Sequence, residues 1–419
     1  MSLAVINATL DGKPMRMRVE GGAIARVGPR IRTRDGDDVI DAGGMAIVPG
    51  LVNGHTHAAM TLFRGYGDDL PLMRWLQEVI WPAEARLTDE DVYWGTRLAC
   101  LEMIRTGTVR FWDMYWHPGA TARAVEDAGI RATVAGPLFD LGDAAGDDGI
   151  PQMAERGLEE IGEPRELIEP ALGPHAIYTV SERGLRWIAE ASAERDLPIH
   201  IHLSETEDEV VRCVADHGMR PAQYLDRLGA LGPRTLLAHG VWLDESELAL
   251  VAERGATVVT NPVANLKLAV GRVFPYRAAR RHGIPIGLGT DGAGSNNSLD
   301  LLSDLKVLAL LQKHEARDAS VLPASDAWRI VAGQSAPLLG ASGAVEEGQP
   351  ADFLLVRSDT PELGVGDFVA GLVYSATGRV VDTTVVNGRV LMRGGMVEGA
   401  EEVLAKARER CARLGLQSS

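Results

Sequence analysis

Pro49-Gly50-Leu51-Val52-Asn53-Gly54-His55-Thr56-His57 is an apolar run that ends in His-x-His. Residues two apart on a β-strand point to the same face, so His55 and His57 would project together from the carboxyl end of a strand, as two imidazoles offered to one metal. A His-x-His pair is not rare in a chain with ten histidines. A surface or core pair is the competing reading, and the rest of the chain has to separate the two.

The strand that carries this pair is the first of a series. Short apolar stretches recur at Ala46-Val52, Thr108-Met114, Ala132-Leu138, Glu169-Pro174, Pro198-Leu203, Thr235-His239, Thr257-Thr260 and Pro285-Gly289. Between most of them lie stretches of strong helix formers with apolar positions at helical spacing, such as Asp89-Arg105, Ser181-Arg195, Thr206-His217 and Glu245-Arg254. Strands alternating with helices predict a parallel sheet, and eight such units predict an α/β protein built on a closed (β/α)₈ TIM barrel, here over residues 55–343.

The flanks have another texture. Residues 1–54 open with short alternating strands (Leu3-Ala8, Met15-Val19, Ala23-Val27) broken by Gly and Asp, and residues 344–419 repeat it with Ala351-Val356, Val380-Val386, an Asn387-Gly388 hairpin turn and Val390-Met392. Neither flank is rich enough in apolar residues to stand alone. Both ends are therefore expected to pair into one small β-sandwich, followed by a C-terminal helix over Glu401-Leu414.

A formal charge of -16 over 419 residues argues against a nucleic-acid or anionic-membrane partner. Cys100, Cys213 and Cys411 are odd in number and in no ligand spacing, so they read as packing residues of a reducing compartment. The N-terminus lacks a basic segment followed by an apolar core, and no run approaches the length of a membrane span. A cytoplasmic protein is expected.

Active sites of such barrels sit at the carboxyl ends of the strands. There this chain places His55 and His57 (first strand), His175 (fourth), His202 (fifth), His239 (sixth) and Asp291 in Gly289-Thr290-Asp291-Gly292 (eighth). Imidazole and carboxylate suit Zn²⁺ or Fe²⁺, and three nitrogens plus one carboxylate leave a position for water, whose pKa such a metal lowers to about 7. Glu205, three residues past His202, is placed to carry protons between that water and a substrate, although an acid at a helix start is also favoured by the helix dipole, as Glu207, Asp208 and Glu209 illustrate. His200 falls one layer deeper and reads as a support. His117, His217, His282 and His314 read as surface residues. Trp75, Trp81, Trp112 and Trp116 gather near the first two strand ends, where they form an aromatic wall or ordinary packing. Asn296, Asn297 and Ser298 read as residues that satisfy their own loop.

These motifs carry a resemblance. The chain resembles the amidohydrolase superfamily, and within it the 5-methylthioadenosine/S-adenosylhomocysteine deaminases, through Pro49–His57, Asp113-Met114-Tyr115, Gly173-Pro174-His175, Ile201–Glu205, Ala238-His239-Gly240, Asn261–Leu268 and Gly289–Ser298. The resemblance implies one divalent metal, Zn²⁺ first and Fe²⁺ or Mn²⁺ next, held by His55, His57, His202 and Asp291. It also implies catalytic roles for Glu205, His239 and Asp291, and substrate binding by Glu84, His175 and Glu205, the first two on the ribose. The partner it implies is a small nucleoside, and it suggests a homo-oligomer. The chain's lysines, Lys13, Lys267, Lys306, Lys313 and Lys406, all lie off the fourth strand, where two-metal relatives carry a carbamylated lysine, so one metal is expected.

The implied reaction is hydrolytic removal of the 6-amino group from adenosine or a 5′-modified adenosine. The resemblance also implies that family members taking a 5′ carboxylate supply an arginine after the third strand, since a guanidinium matches a carboxylate bidentately. Residues 139–150 hold four aspartates and no arginine, and Arg131 and Arg156 read as surface residues. A neutral 5′ group, as in methylthioadenosine, 5′-deoxyadenosine or adenosine, is therefore favoured over S-adenosylhomocysteine. Deamination or dechlorination of another heterocycle (aminofutalosine, guanine, cytosine, an s-triazine) is the alternative, and a non-catalytic scaffold the more distant one.

Overall fold

The computed structural model describes residues 2–141, 149–340 and 344–416. Its centre is a parallel eight-stranded sheet in sequential order: Leu51–Thr56, Thr108–Met114, Arg131–Leu138, Ile168–Pro174, Ile199–Leu203, Thr235–His239, Thr257–Thr260 and Ile286–Leu288. The seam between last and first strands is closed by side chains as well as backbone. The Thr290 N–H donates to Asn53 Oδ1 (3.0 Å), Asn53 Nδ2 donates to Thr290 Oγ1 (2.8 Å), and the Asp291 N–H donates to the His55 carbonyl (3.0 Å). The closure that completes the barrel thus ties the last strand end to the His-x-His segment.

Helices pack outside the barrel and bury one face each. Thr88 caps Asp89–Thr106 and Asp244 caps Glu245–Arg254 through reciprocal capping boxes, while Ser181 and Thr206 cap Glu182–Arg195 and Glu207–His217. All four lie where helical spacing predicts them, and Cys100 and Cys213 are buried in the packing.

The two ends of the chain form a second sheet of eight strands. Its hydrogen-bonded path runs from Arg389–Met392 through Val381–Val386, Phe353–Arg357, Met45–Pro49, Leu3–Leu10 and Lys13–Glu20 to Ala23–Gly28, with Asp38–Asp41 parallel to Leu3–Leu10. Ile24 and Val385, near opposite ends of this path, pack in one core with Met17, Ile47 and Phe353, so the sheet folds over upon itself. Asn387 (φ 52°) and Gly388 (φ 73°) make the expected hairpin turn.

The predicted first strand, Ala46-Val52, straddles both sheets. Met45–Pro49 pairs with Phe353–Arg357 in the terminal sheet, whereas the barrel strand begins at Leu51. Gly50 is the crossing point: its N–H donates to the Asp352 carbonyl (3.2 Å), and the next N–H, of Leu51, to the Gly107 carbonyl (3.0 Å). A Cβ at Gly50 would lie 2.3 Å from Val109 Cγ2, so only glycine lets the chain pass here. His55 therefore belongs to the strand rather than to a loop after it.

The C-terminal helix, Ala400–Leu414, lies where the sequence places it and packs on the barrel helix Asp89–Thr106, where Arg413 and Arg410 reach Asp91 and Glu90. Arg131 is not a surface residue: its Nε donates to buried Asp352 (2.7 Å) and ties the barrel's lower rim to the terminal sheet. Arg156 lies on an exposed helical position. Among the described residues no helix is long and apolar enough to cross a membrane.

Candidate functional site

The carboxyl ends of the strands meet at one cluster. A ring nitrogen of each of His55, His57 and His202 lies within 4.8 Å of the others, and the same holds for donor atoms of His55, His239 and Asp291. Asp291 Oδ1 stands 3.3 Å from His55 Nε2 and 3.2 Å from His57 Nε2, and His202 Nε2 stands 3.3 Å from His57 Nε2.

The outer edges of these rings decide their protonation. His57 Nδ1 donates to the Met114 carbonyl (2.7 Å), His202 Nδ1 to the His175 carbonyl (2.7 Å) and His239 Nδ1 to Asn265 Oδ1 (2.8 Å). A carbonyl oxygen only accepts, so each ring carries its proton on Nδ1 and turns an Nε2 lone pair inward. His55 Nδ1 lies 2.7 Å from His200 Nε2, which gives the deeper His200 its supporting role. His55 Nε2 is buried with no hydrogen-bond partner. Inward lone pairs, an orphaned buried nitrogen and a carboxylate among them are the donor set of a divalent cation.

The backbone at the site is strained to match. Ser204 (φ 52°), His239 (φ 73°) and Asp291 (φ 64°) are non-glycine residues in the left-handed region, at the ends of the fifth, sixth and eighth strands. Asp291 is then held by the Ser295 hydroxyl, which donates to Oδ2 (2.8 Å). Its histidine partners outweigh desolvation and keep its carboxyl well below the usual range.

The cluster forms the floor of a pocket. Glu205 lines it, and burial raises its pKa against the pull of His239. Its Oε1 is 3.7 Å from His239 Nδ1, beyond a hydrogen bond, because that nitrogen is engaged by Asn265. Glu84 also lines the pocket, accepting from the Tyr115 hydroxyl (2.7 Å) and Trp116 Nε1 (3.2 Å); burial raises its pKa as well. His175 stacks on Phe139 (ring centroids 4.7 Å apart), which stacks on Trp116 (5.5 Å). Leu72, Leu76, Ile80 and Leu268 add apolar wall. Among the described residues that line the pocket there is no lysine or arginine.

Trp75, Trp81 and Trp116 line the pocket, but Trp112 does not: it is buried inside the barrel, with Nε1 donating to the Leu339 carbonyl (3.3 Å) and its ring edge-on to His200. Asn296 satisfies its own loop by donating to the Thr290 carbonyl, whereas Asn297 reaches out to Asp68. Of the loop 139–150, Phe139 joins the wall and Asp140 accepts from the Ser181 N–H and hydroxyl; residues 142–148, with Asp143, Asp147 and Asp148, lie outside the described residues.

The Amidohydrolase family pattern matches residues 46–391. The chain belongs to the amidohydrolase family. It is 49% identical over 397 residues to a 5′-deoxyadenosine deaminase of Methanoregula boonei, covering 93% of this chain and 90% of that protein. It is 42% identical over 408 residues to 5-methylthioadenosine/S-adenosylhomocysteine deaminase 1 of Archaeoglobus fulgidus, covering 95% and 94%. Among solved structures, an adenosine deaminase from Xanthomonas campestris with bound zinc superposes with a TM-score of 0.90 at 32% identity, over 99% of this chain and 98% of that one.

Within this amidohydrolase, sequence reasoning passed over Asn265 and Ser295, which orient His239 and Asp291. Both stand inside the motifs that carried the resemblance, but their partners lie on other elements or across a turn. Glu209, set beside Glu207 and Asp208 as a helix-start acid, is buried where those two are not.

Proposed function

We propose that this amidohydrolase hydrolytically deaminates adenosines whose 5′ group is neutral, with 5′-deoxyadenosine and methylthioadenosine as the leading substrates. His55, His57, His202 and Asp291 would hold one divalent ion, zinc by analogy with the X. campestris structure. Bound there, the ion supplies a Lewis acid that lowers the pKa of a coordinated water to about 7.

The observation that carries the reading is Glu205, a buried carboxyl beside the histidine cluster, its pKa raised by desolvation, in a pocket lined by Trp75, Trp81, Trp116 and Phe139. Addition of water to carbon 6 requires a proton at the neighbouring ring nitrogen, and a carboxyl whose pKa burial raises is suited to give it. Asp291, ionised and fixed by Ser295, takes one proton from the water and passes it to the departing amino group, which leaves as ammonia, while the second water proton, lost as the carbon 6 hydroxyl becomes a carbonyl, restores Glu205. His239, its Nδ1–H spent on Asn265, directs Nε2 at the adding oxygen. Glu84 and His175 are the groups for the ribose hydroxyls.

The 5′ preference rests on the pocket's charge. A carboxylate tail would find no lysine or arginine among the described residues that line the pocket. The test is ammonia release and loss of adenine absorbance by the zinc-loaded protein on 5′-deoxyadenosine, methylthioadenosine, adenosine, S-adenosylhomocysteine, guanine and a chlorinated s-triazine. A charge-assisted pair is worth ~1.5–3 kcal/mol, so kcat/KM for the neutral adenosines should exceed that for S-adenosylhomocysteine by about 10–100-fold. Turnover of guanine or the triazine with silence on every adenosine would overturn the nucleoside assignment.

A further inference from the structure

The loop after the fifth barrel strand holds a second buried carboxylate that the proposed chemistry does not use. Glu209 stands in the first turn of the helix Glu207–His217 and is 5% exposed. One of its oxygens accepts the Ser204 N–H and the other the Glu205 N–H, each at 2.9 Å. Thr206-x-x-Glu209 has the spacing of a capping box, in which the glutamate would turn back to the amide of Thr206. Here the Thr206 hydroxyl accepts the Glu209 N–H (3.3 Å), but the carboxylate reaches past the cap to the two amides before it. The left-handed Ser204 makes this reach useful, since such a turn aims successive N–H groups at one anion. Desolvation, opposed by the two amides and reinforced by Glu205 and Glu247, raises the Glu209 pKa to about 8. Both oxygens nonetheless act as acceptors, the arrangement of an ionised carboxylate.

We propose that Glu209 is a positioning residue for Glu205. By clamping the Glu205 amide and holding Ser204 in its strained conformation, it fixes where the Glu205 side chain departs and so how its carboxyl meets the substrate. The inference rests on the deaminase reading above. A cap alone would stabilise the helix and leave the reaction untouched.

The test uses the zinc-loaded full-length protein. Glu209→Gln keeps the shape but opposes an amide NH₂ to one N–H, and Glu209→Asp is too short to reach both. Misplacement of a catalytic group by a fraction of an ångström to 1 Å costs up to about 100-fold, so both variants should lower kcat about 10–100-fold with KM within about twofold and zinc content unchanged. In Glu205→Gln, the further change Glu209→Gln should cost nothing more. Thr206→Ala, which removes the ordinary cap, should lower Tm and leave kcat intact. Wild-type kcat in folded, metallated Glu209→Gln overturns the inference, as does a further drop in the double variant. Should these variants not fold, hydrogen exchange in the wild-type protein decides: slow exchange at the Ser204 and Glu205 amides is expected, and exchange as fast as an open loop overturns the clamp. Absence of any wild-type deaminase activity would instead sink the functional reading, which separates the two failures.

Discussion

His239 donates its Nδ1–H to Asn265 Oδ1 at 2.8 Å, joining the end of the sixth barrel strand to the short helix Pro262–Lys267. The bond fixes the ring's orientation and its tautomer, so Nε2 faces the pocket as an acceptor. Outer partners of this kind typically carry 10–100-fold in activity or metal affinity. Asn265→Ala should therefore lower kcat by about 10–100-fold while metal stoichiometry, which the proposed ligands His55, His57, His202 and Asp291 would set, should hold. Steady-state kinetics beside metal analysis checks it, and an unchanged kcat would show that His239 needs no orientation.

Metal removal should be felt in the fold as well as in turnover. Several inward lone pairs and Asp291 crowd together, Asp291 Oδ1 lying 3.3 Å from His55 Nε2, which has no hydrogen-bond partner. A ligand that binds only the native state stabilises it by RT ln(1 + [L]/Kd), about 4 kcal/mol at a thousandfold excess over Kd. Chelation should abolish ammonia release and lower Tm by several degrees, with both restored by zinc. His202→Ala should mimic the chelated protein and fail to respond to zinc. A Tm indifferent to chelator would argue that the cluster does not hold an ion.

How much of this was legible in the sequence depends on how local each partner is. The eight barrel strands are visible because apolar runs and helical spacing are local, and His55, His57, His175, His202, His239 and Asp291 follow because barrel geometry gathers strand ends. The division of Ala46-Val52 between two sheets was not legible: it depends on Val109 crowding Gly50, a contact made only once the barrel closes. Asn265 and Arg131 were missed or misread for the same reason, since His239 is 26 residues from the first and Asp352 is 221 from the second. Glu209 shows the opposite failure. Its local signal, an acid at a helix start, was real but incomplete, because that position does not say whether the carboxylate stops at the helix end or reaches past it to the amides of Ser204 and Glu205.

Asp113 gives the protein a pH-dependent weakness. It is fully buried; Oδ1 accepts from the Ala58 N–H (2.6 Å), while Oδ2 has no partner. Desolvation raises its pKa from 3.8 to about 6. A carboxyl whose folded pKa exceeds its unfolded one binds its proton more tightly when native, so stability falls as pH rises from 3.8 towards 6 and the penalty is complete above 6. At ~1.4 kcal/mol per unit, the cost at pH 7 is of the order of 3 kcal/mol. Asp113→Asn keeps the Oδ1 acceptor and removes the charge. In chelated protein it should raise Tm at pH 7 and make no difference near pH 4, by thermal unfolding across that range. An equal effect at both pH values would mean that packing, not charge, sets the difference.

Glu84 should divide the nucleoside from its base. Its carboxylate already accepts from the Tyr115 hydroxyl and Trp116 Nε1, which hold it at the pocket wall. A carboxylate so held has lone pairs left for a ribose hydroxyl, and a hydrogen bond to a charged group is worth ~1.5–3 kcal/mol. Glu84→Gln retains an acceptor for only one of its two neighbours and weakens the remaining bond. For 5′-deoxyadenosine kcat/KM should fall about 10–100-fold, mostly through KM, because the contact is remote from carbon 6 and acts on substrate and transition state alike. The same variant should lose far less on a 2′,3′-dideoxy analogue, which brings no hydroxyl to the carboxylate. Equal losses on both substrates would place Glu84 with the wall that supports Tyr115 and Trp116 rather than with the ribose.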